Sequence, residues 1–149
     1  MVKMKLYNSF NIKKKHKNSI ILIGNFDGIH LGHQKLFKLA KMYKKKYSFK
    51  IGVLTFEPMP KMFFNPNLKN FRLSNLNQKI ENLSKFNVDF VIIKKFDRKF
   101  SKTKSISFIK ETLGKKINPK FIFVSNNFRF GNKREGDVKQ LIKYEKLCK

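Results

Sequence analysis

Four short apolar runs, each followed by an amphipathic stretch, dominate the organisation of this 149-residue chain. The apolar runs are 19–24, 49–56, 89–94 and 120–124. The amphipathic stretches, with apolar residues at helical spacing, are 32–46, 73–86, 106–113 and 136–147. The first run, SIILIG, is the most apolar of the four, as expected of a strand that is buried on both faces. Strands that alternate with helices predict an α/β fold with a doubly wound parallel sheet, right-handed crossovers and helices on both faces.

Local signals set the expected limits of these elements. Ser74 is a candidate N-cap for the second helix, and Gly114 is expected to end the third. The first 18 residues are expected to form a partly extended lead-in to a single domain. Prolines are expected to exclude regular structure from the loop after the second strand. These are Pro58, Pro60 and Pro66.

Several protein classes are excluded by composition. Hydrophobic residues make up 41% of the chain, which is too many for a disordered protein. No apolar run approaches the roughly 18–20 residues of a membrane span, and no apolar stretch of signal-peptide type follows the first lysines. Cys148 is the single cysteine, so no internal disulfide can form. We therefore expect a cytoplasmic protein without a membrane partner.

The formal net charge of +26 raises the question of a nucleic-acid partner. Of the 35 basic residues, 31 are lysines and 4 are arginines, and the lysines are spread along the chain. Nucleic-acid readers rely on arginine forks and aromatic platforms. Lys, Asn, Ile and Phe, all abundant here, share A/T-rich codons, so a biased genome would produce much of this charge. We predict no specific nucleic-acid partner.

The turn after the first predicted strand carries the clearest chemical signal. Residues 24–33 read GNFDGIHLGH, with glycines that let a ligand approach the backbone. The helix that follows presents its positive end to the same space. His30 and His33 are three residues apart and therefore share one face of the helix entry. Two imidazoles, backbone N–H groups and a helix terminus suit the binding of a polyphosphate; a strand–turn–helix corner with incidental histidines is the alternative.

This motif resembles the first signature of the H-x-G-H nucleotidylyltransferases, and specifically of the bacterial FAD synthetases. Three further segments resemble that family in the same order, and together they cover about residues 20–142. They are Thr55–Pro60 (TFEPMP), Arg72–Ser74 with Lys79, and Asn127–Gly131 (NFRFG) followed by Arg134, Gly136 and Asp137. The resemblance implies a Rossmann-like fold and transfer of AMP from ATP to FMN, giving FAD and pyrophosphate with the help of Mg²⁺.

The resemblance also implies roles for particular residues. His30 and His33 are expected to be the catalytic residues that stabilise the triphosphate of ATP. Asp27 either orients the turn or lies near the metal, to which we assign no ligand. The expected phosphate-binding or ATP-binding residues are Gly24, Asn25, Phe26, Asp27, Gly32, Asn127 and Arg129. The expected residues of the flavin-side loops are Phe56, Pro58, Met59 and Phe128, with one phenylalanine of the 128–130 segment against the ligand and the other in the core.

The sequence departs from the family pattern at three places. Met59 replaces a usual His, and Ser125 replaces a usual Gly. The Ser/Thr-Arg segment and riboflavin kinase domain that follow in the family are absent, so we expect residues 1–149 to be an adenylyltransferase domain incomplete at its C-terminus. A separately encoded segment or kinase domain is then a candidate partner. The alternatives are a catalytically impaired nucleotide- or flavin-binding remnant, or a related enzyme with another phosphorylated acceptor.

Overall fold

The computed structural model describes residues 4–67 and 75–145, and its centre is a parallel β-sheet. The five strands of this sheet are β1 (Lys5–Tyr7), β2 (Ile20–Ile23), β3 (Ile51–Glu57), β4 (Phe90–Lys95) and β5 (Phe121–Phe123). Their spatial order is β1-β4-β3-β2-β5, and every neighbouring pair is parallel. The predicted α/β class and the four predicted strands are therefore confirmed, and the lead-in contributes a fifth strand at one edge.

Helices connect the strands and cover the sheet. They are α1 (Leu31–Tyr47), α2 (Pro60–Phe64), α3 (Leu76–Ser84), α4 (Arg98–Ser101), α5 (Ser105–Ser107) and α6 (Val138–Lys143). A π-helical segment, Phe108–Ile117, extends α5 towards β5. After β5 a two-stranded antiparallel hairpin forms from β6 (Arg129–Phe130) and β7 (Gly136–Asp137).

Several of the predicted element boundaries need correction. The closing helix, predicted over 136–147, is α6 (Val138–Lys143), because Gly136 and Asp137 pair with β6 instead. Pro60 does not exclude regular structure, because it occupies the first turn of α2, where a missing N–H costs nothing. Gly114 lies inside the π-helical segment, which ends instead at Asn118 in the left-handed conformation (φ 49°). Asn75 caps α3 and forms a reciprocal capping box with Gln78, whereas the candidate cap Ser74 lies outside the described residues.

Two apolar layers form on the two faces of the sheet. One layer packs α1 and α3 against it through Phe37, Ala40 and Leu83. The other packs the π-helical segment against the opposite face through Ile109 and Leu113. The crossovers from β2 to β3 and from β3 to β4 therefore lie on one face, and the crossover from β4 to β5 lies on the other.

This reversal of winding places a switch point between β2 and β5. In open α/β sheets, ligands bind beyond the carboxyl ends of the strands at such a point, because loops diverge there and leave a crevice. The loop that leaves β2 starts at Gly24, and the loop that leaves β5 starts at Val124. Two of the motifs identified in the sequence therefore meet at the same edge.

Candidate active site at the switch point

The turn after β2 is tied to the neighbouring strand β3 at two points. The Gly24 N–H donates to the carbonyl of Leu54 (3.1 Å), and the Thr55 hydroxyl donates to the carbonyl of Asn25 (3.2 Å). The backbone then reverses through Phe26 (φ 51°), whose ring is 1% exposed. A buried ring offsets the cost of a left-handed backbone, so Phe26 anchors the turn in the core.

His30 occupies the N-cap of α1. Its Nδ1 accepts a hydrogen bond from the Gly32 N–H at 3.1 Å, which satisfies one of the backbone donors left free in the first helical turn. A Cβ on residue 32 would lie 3.0 Å from Cε1 of the imidazole. A side chain at residue 32 would therefore crowd the imidazole that folds back onto its own helix terminus.

His33 lies in the first turn of α1 and stacks on His30. The two ring centroids are 3.8 Å apart with planes 20° from parallel, and the Phe26 ring is 5.0 Å from His33 on another side. Burial, and next the proximity of His30, lower the pKa of His33 to about 4. His33 is therefore neutral at physiological pH.

The hydrogen bonds define which ring nitrogen carries the proton in each histidine. Nδ1 of His30 accepts from a backbone N–H, so in the neutral ring the proton is on Nε2. Nδ1 of His33 is buried and has no hydrogen-bond partner within the described residues. A buried lone pair costs less than a buried, unbonded N–H, so the proton of His33 is also favoured on Nε2. The stacked pair then offers two N–H donors beside a helix N-terminus.

A buried lysine is connected to this turn through Thr55. Lys79 of α3 is 1% exposed, and its Nζ lies 2.9 Å from Oε1 of Glu57 at the end of β3. The same Nζ is 3.4 Å from the Thr55 hydroxyl, which in turn holds Asn25. The sequence identified Lys79 only as part of a resembling motif and assigned no role to it. A lysine at the i − 4 position of a core leucine, Leu83, is the signal that points to its burial.

The loop after β3 is largely packed into the core. Phe56 is buried and stacks on Phe100 (ring centroids 5.5 Å apart, planes 29° from parallel). Met59 is 1% exposed and precedes α2, whereas Pro58 is exposed. Of the three loop residues predicted to contact a flavin, Pro58 is therefore exposed, whereas the side chains of Phe56 and Met59 are buried.

The loop after β5 is held by short-range contacts. The Ser125 hydroxyl lies 2.8 Å from Oδ1 of Asn127, and the Phe128 N–H donates to the carbonyl of Ser125. Phe128 is half-buried and stacks on the buried Phe130, with ring centroids 5.5 Å apart. Arg129 is exposed on β6. Of the further motif residues, Arg134 is exposed and Asp137 caps α6, while Arg72 lies outside the described residues.

Three other features of the described residues bear on the ligands and surroundings of the protein. No group of three or more His, Cys, Asp or Glu side chains there could hold a metal ion. No described helix is long and apolar enough to cross a membrane. An open groove of about 470 Å³ lies between α1 and the end of α3, lined by lysines, Leu31 and Phe86, and it contains none of the predicted site residues.

A parallel sheet with a switch point, and an H-x-G-H motif at the helix terminus beside it, define a nucleotidylyltransferase-like α/β protein. The family model described as FAD synthetase matches residues 12–149. The chain therefore belongs to the FAD synthetase family.

Relatives and a solved structure agree with this membership. The chain is 41% identical over 133 residues to the bifunctional riboflavin kinase/FMN adenylyltransferase of Buchnera aphidicola subsp. Acyrthosiphon pisum, covering 89% of the chain and 42% of the relative. It is 36% identical over 131 residues to the protein of the same name from Haemophilus influenzae, again covering 42% of it. The chain thus spans about two-fifths of the length of the curated relatives it matches.

Among solved structures, a crystal structure named as a macrolide-efflux protein from Streptococcus pneumoniae superposes with a TM-score of 0.82. The sequence identity is 26%, and the match covers 95% of this chain and 55% of that one. Nearly the whole chain therefore has a structural counterpart in an experimentally solved protein.

Proposed function

We propose that this protein is an FMN adenylyltransferase, which transfers AMP from ATP to FMN. The observation that carries the proposal is the stacked His30–His33 pair at the N-terminus of α1, beside the switch point of the sheet. Family membership and the names of the relatives support FMN as the acceptor. We assign only the adenylyl-transfer part of the relatives' name, because the histidine pair supports that chemistry.

In the proposed reaction a terminal phosphate oxygen of FMN attacks the α-phosphorus of ATP. The new phosphorus–oxygen bond forms as the bond to the β-phosphate bridging oxygen breaks, so that FAD and pyrophosphate are the products. Negative charge builds on the α-phosphate and on the departing pyrophosphate. Two Nε2–H donors and the N-terminus of α1 stabilise that charge without a covalent intermediate.

The neutrality of His33 decides how it contributes. A ring with a pKa of about 4 carries no positive charge at pH 7, so before substrate binds it acts as a fixed N–H donor. An adjacent phosphate favours the charged form and raises the pKa of the ring. The hydrogen bond from the imidazole N–H to the phosphate therefore strengthens as negative charge develops, and an interaction that is stronger in the transition state is what catalysis requires.

Mg²⁺ enters the proposal as part of the substrate. The described residues contain no cluster of three candidate metal-binding side chains, and ATP phosphates bind Mg²⁺ themselves. We propose that the ion arrives as the Mg²⁺ complex of ATP and offsets the charge of the leaving pyrophosphate. Asp27 is the acidic side chain of the turn and is half-buried next to Gly28.

The flavin is proposed to bind against the loops that leave β3 and β5. These strands flank β2 on its two sides, so their loops border the histidine turn. Pro58 and Phe128 provide the predicted flavin contacts, and Asn127 and Arg129 contact phosphate in the same proposal. Arg129 and Asn127 are both exposed, which leaves their side chains accessible to an anion.

The test is a pyrophosphate-release assay with ATP, Mg²⁺ and a panel of phosphorylated acceptors, in which FAD is identified by chromatography. It is run with this chain and with a fusion that joins it to the C-terminal segment of a relative. FAD formation by at least one form, with FMN preferred, supports the proposal. Pyrophosphate release with a different acceptor, or no FAD from either folded form, would overturn it.

The proposal also covers the location of the protein and its partners. We propose a cytoplasmic protein, since its single cysteine gives no disulfide framework of the kind secreted domains use. Its proposed partners are ATP and FMN, together with a kinase or C-terminal segment of the kind present in its relatives. Pull-down of this chain with the relative's C-terminal segment, supplied as a separate polypeptide, tests the last of these.

A further inference from the structure

The side chain of Lys79 is the most completely buried charged group in the described residues, and its burial is costly. An ammonium group loses its hydration when it is buried, and one ion pair rarely compensates that loss completely. A methionine or leucine at the same helical position would pack against β3 without that penalty. The stability of the fold alone therefore gives no reason for a lysine at this position.

The contacts of Lys79 form a chain of hydrogen bonds with a fixed direction. A lysine ammonium only donates, so the Thr55 hydroxyl accepts from it at 3.4 Å. The single hydroxyl proton of Thr55 is then directed to the carbonyl of Asn25, 3.2 Å away. Glu57, 2.9 Å from the ammonium, compensates its charge. Without Lys79 the hydroxyl would be free to donate elsewhere, including to Glu57.

The last acceptor in this series of hydrogen bonds, the carbonyl of Asn25, belongs to the turn that shapes the candidate active site. The carbonyl of Asn25 belongs to the peptide unit that leads into Phe26, where the backbone is left-handed. The Phe26 ring packs 5.0 Å from the imidazole of His33. A change in the orientation of that peptide unit therefore moves the surface on which His33 rests.

We propose that Lys79 is a positioning residue, which holds the Asn25–Phe26 peptide through Thr55 and thereby sets the geometry of the nucleotide turn and of His33. The proposal rests on the proposed function only in naming the turn as a nucleotide site. Lys79 itself need not touch the substrate, and its effect on the site is transmitted by one hydroxyl group.

The experiment compares variants that distinguish the effect of Lys79 on the turn, exerted through the Thr55 hydroxyl, from a general loss of stability. Thr55→Val removes the hydroxyl at nearly constant volume, and Thr55→Ser restores it. Lys79→Met removes the donor; if it fails to fold, Lys79→Met combined with Glu57→Gln removes both charges together. Leu83→Ala, one helical turn along α3 and fully buried, is the control that destabilises the same helix without touching the hydrogen-bond chain.

Two readouts are measured on each folded variant. The first is the set of NMR shifts of the Phe26 and Asp27 amides and of the His33 imidazole, which needs no nucleotide. The second is the calorimetric dissociation constant for ATP with Mg²⁺. We expect the first set to move in Thr55→Val and Lys79→Met, and to recover in Thr55→Ser. We expect the ATP dissociation constant to rise roughly 3- to 10-fold, as loss of one hydrogen bond implies.

The double variant Thr55→Val/Lys79→Met gives the sharpest outcome. If Lys79 acts through Thr55, the second substitution adds less than about twofold to the dissociation constant, because coupled residues are not additive. Wild-type shifts and ATP affinity in Thr55→Val, or equal effects in Leu83→Ala, would overturn the positioning role. If the amides move as expected but neither the wild-type chain nor its fusion with a relative's C-terminal segment binds ATP, the proposed function fails while the positioning role stands.

Discussion

Replacing His33 by glutamine should make the folded protein more resistant to acid. His33 is neutral in the fold because burial and His30 lower its pKa to about 4, against an ordinary value of 6.5. The unfolded chain therefore binds a proton at this ring at higher pH than the folded chain does. Stability contributed by the neutral ring is fully present above about pH 6.5 and is lost as the pH falls towards 4.

The size of the effect follows from the shift in pKa. A difference of about 2.5 units, at 1.36 kcal/mol per unit, sets a ceiling of about 3.4 kcal/mol. The ring is only half-buried, and solvent screening reduces the expected loss to about 1–2 kcal/mol. For a domain of this length that corresponds to a difference of about 2–8 °C in melting temperature.

The assay is urea unfolding of the wild-type and His33→Gln proteins at pH 7.5 and pH 4.5, in the same salt. The wild-type protein should lose about 1–2 kcal/mol more than the variant between the two pH values. His16 is also buried, and its pKa is lowered, but it titrates in both proteins and cancels in the difference. Equal losses in the two proteins, or an imidazole of His33 that titrates near 6.5 by NMR, would refute this account of the site.

Three further predictions test the site and its supports. In the fusion with a relative's C-terminal segment, His33→Ala should lower kcat by about 10²- to 10³-fold with ATP affinity changed only a few-fold, measured by pyrophosphate release and calorimetry; turnover within a few-fold of wild type would argue against its catalytic role. Gly32→Ala places a Cβ 3.0 Å from Cε1 of His30, so calorimetry should show weaker ATP binding while the melting temperature is kept, and Gly32→Val should weaken binding further; unchanged affinity would favour an incidental corner. Gly52→Ala places a Cβ 2.2 Å from the Phe90 ring, so urea unfolding should show a loss of at least about 1–3 kcal/mol that Phe90→Leu partly restores; an unaffected midpoint would contradict the close approach.

Much of the architecture could be predicted from the sequence, because the information is local. Apolar runs of strand length that alternate with stretches of helical periodicity predict a sheet covered by helices. This pattern identifies four of the strands and the main helices. The motif in residues 24–33 places two histidines at a helix entry by spacing alone, and the structure brings His30 and His33 into contact at 3.8 Å between ring centroids. Both results depend on residues that are close in the chain.

Other features could not be predicted, because they depend on which elements become neighbours. Strand β1 has three residues, two of them exposed, and it exists through its pairing with β4, more than 80 residues away. The helix α2 begins at Pro60, a residue that normally signals irregular structure. Met59 reads as a loop residue in sequence, yet its side chain is buried.

The chemistry of the site divides in the same way. The sequence by itself determined that two imidazoles, a glycine-rich turn and a helix N-terminus occur together, since they occupy ten consecutive residues. Only the tertiary structure decided that His33 is neutral, because its pKa depends on the burial of the ring and on the stacked His30. Likewise, only the tertiary structure decided that Lys79 is connected to Asn25 by two hydrogen bonds through the Thr55 hydroxyl. These three residues are far apart in the chain, and they meet because α3 packs on β3 and β3 pairs with β2.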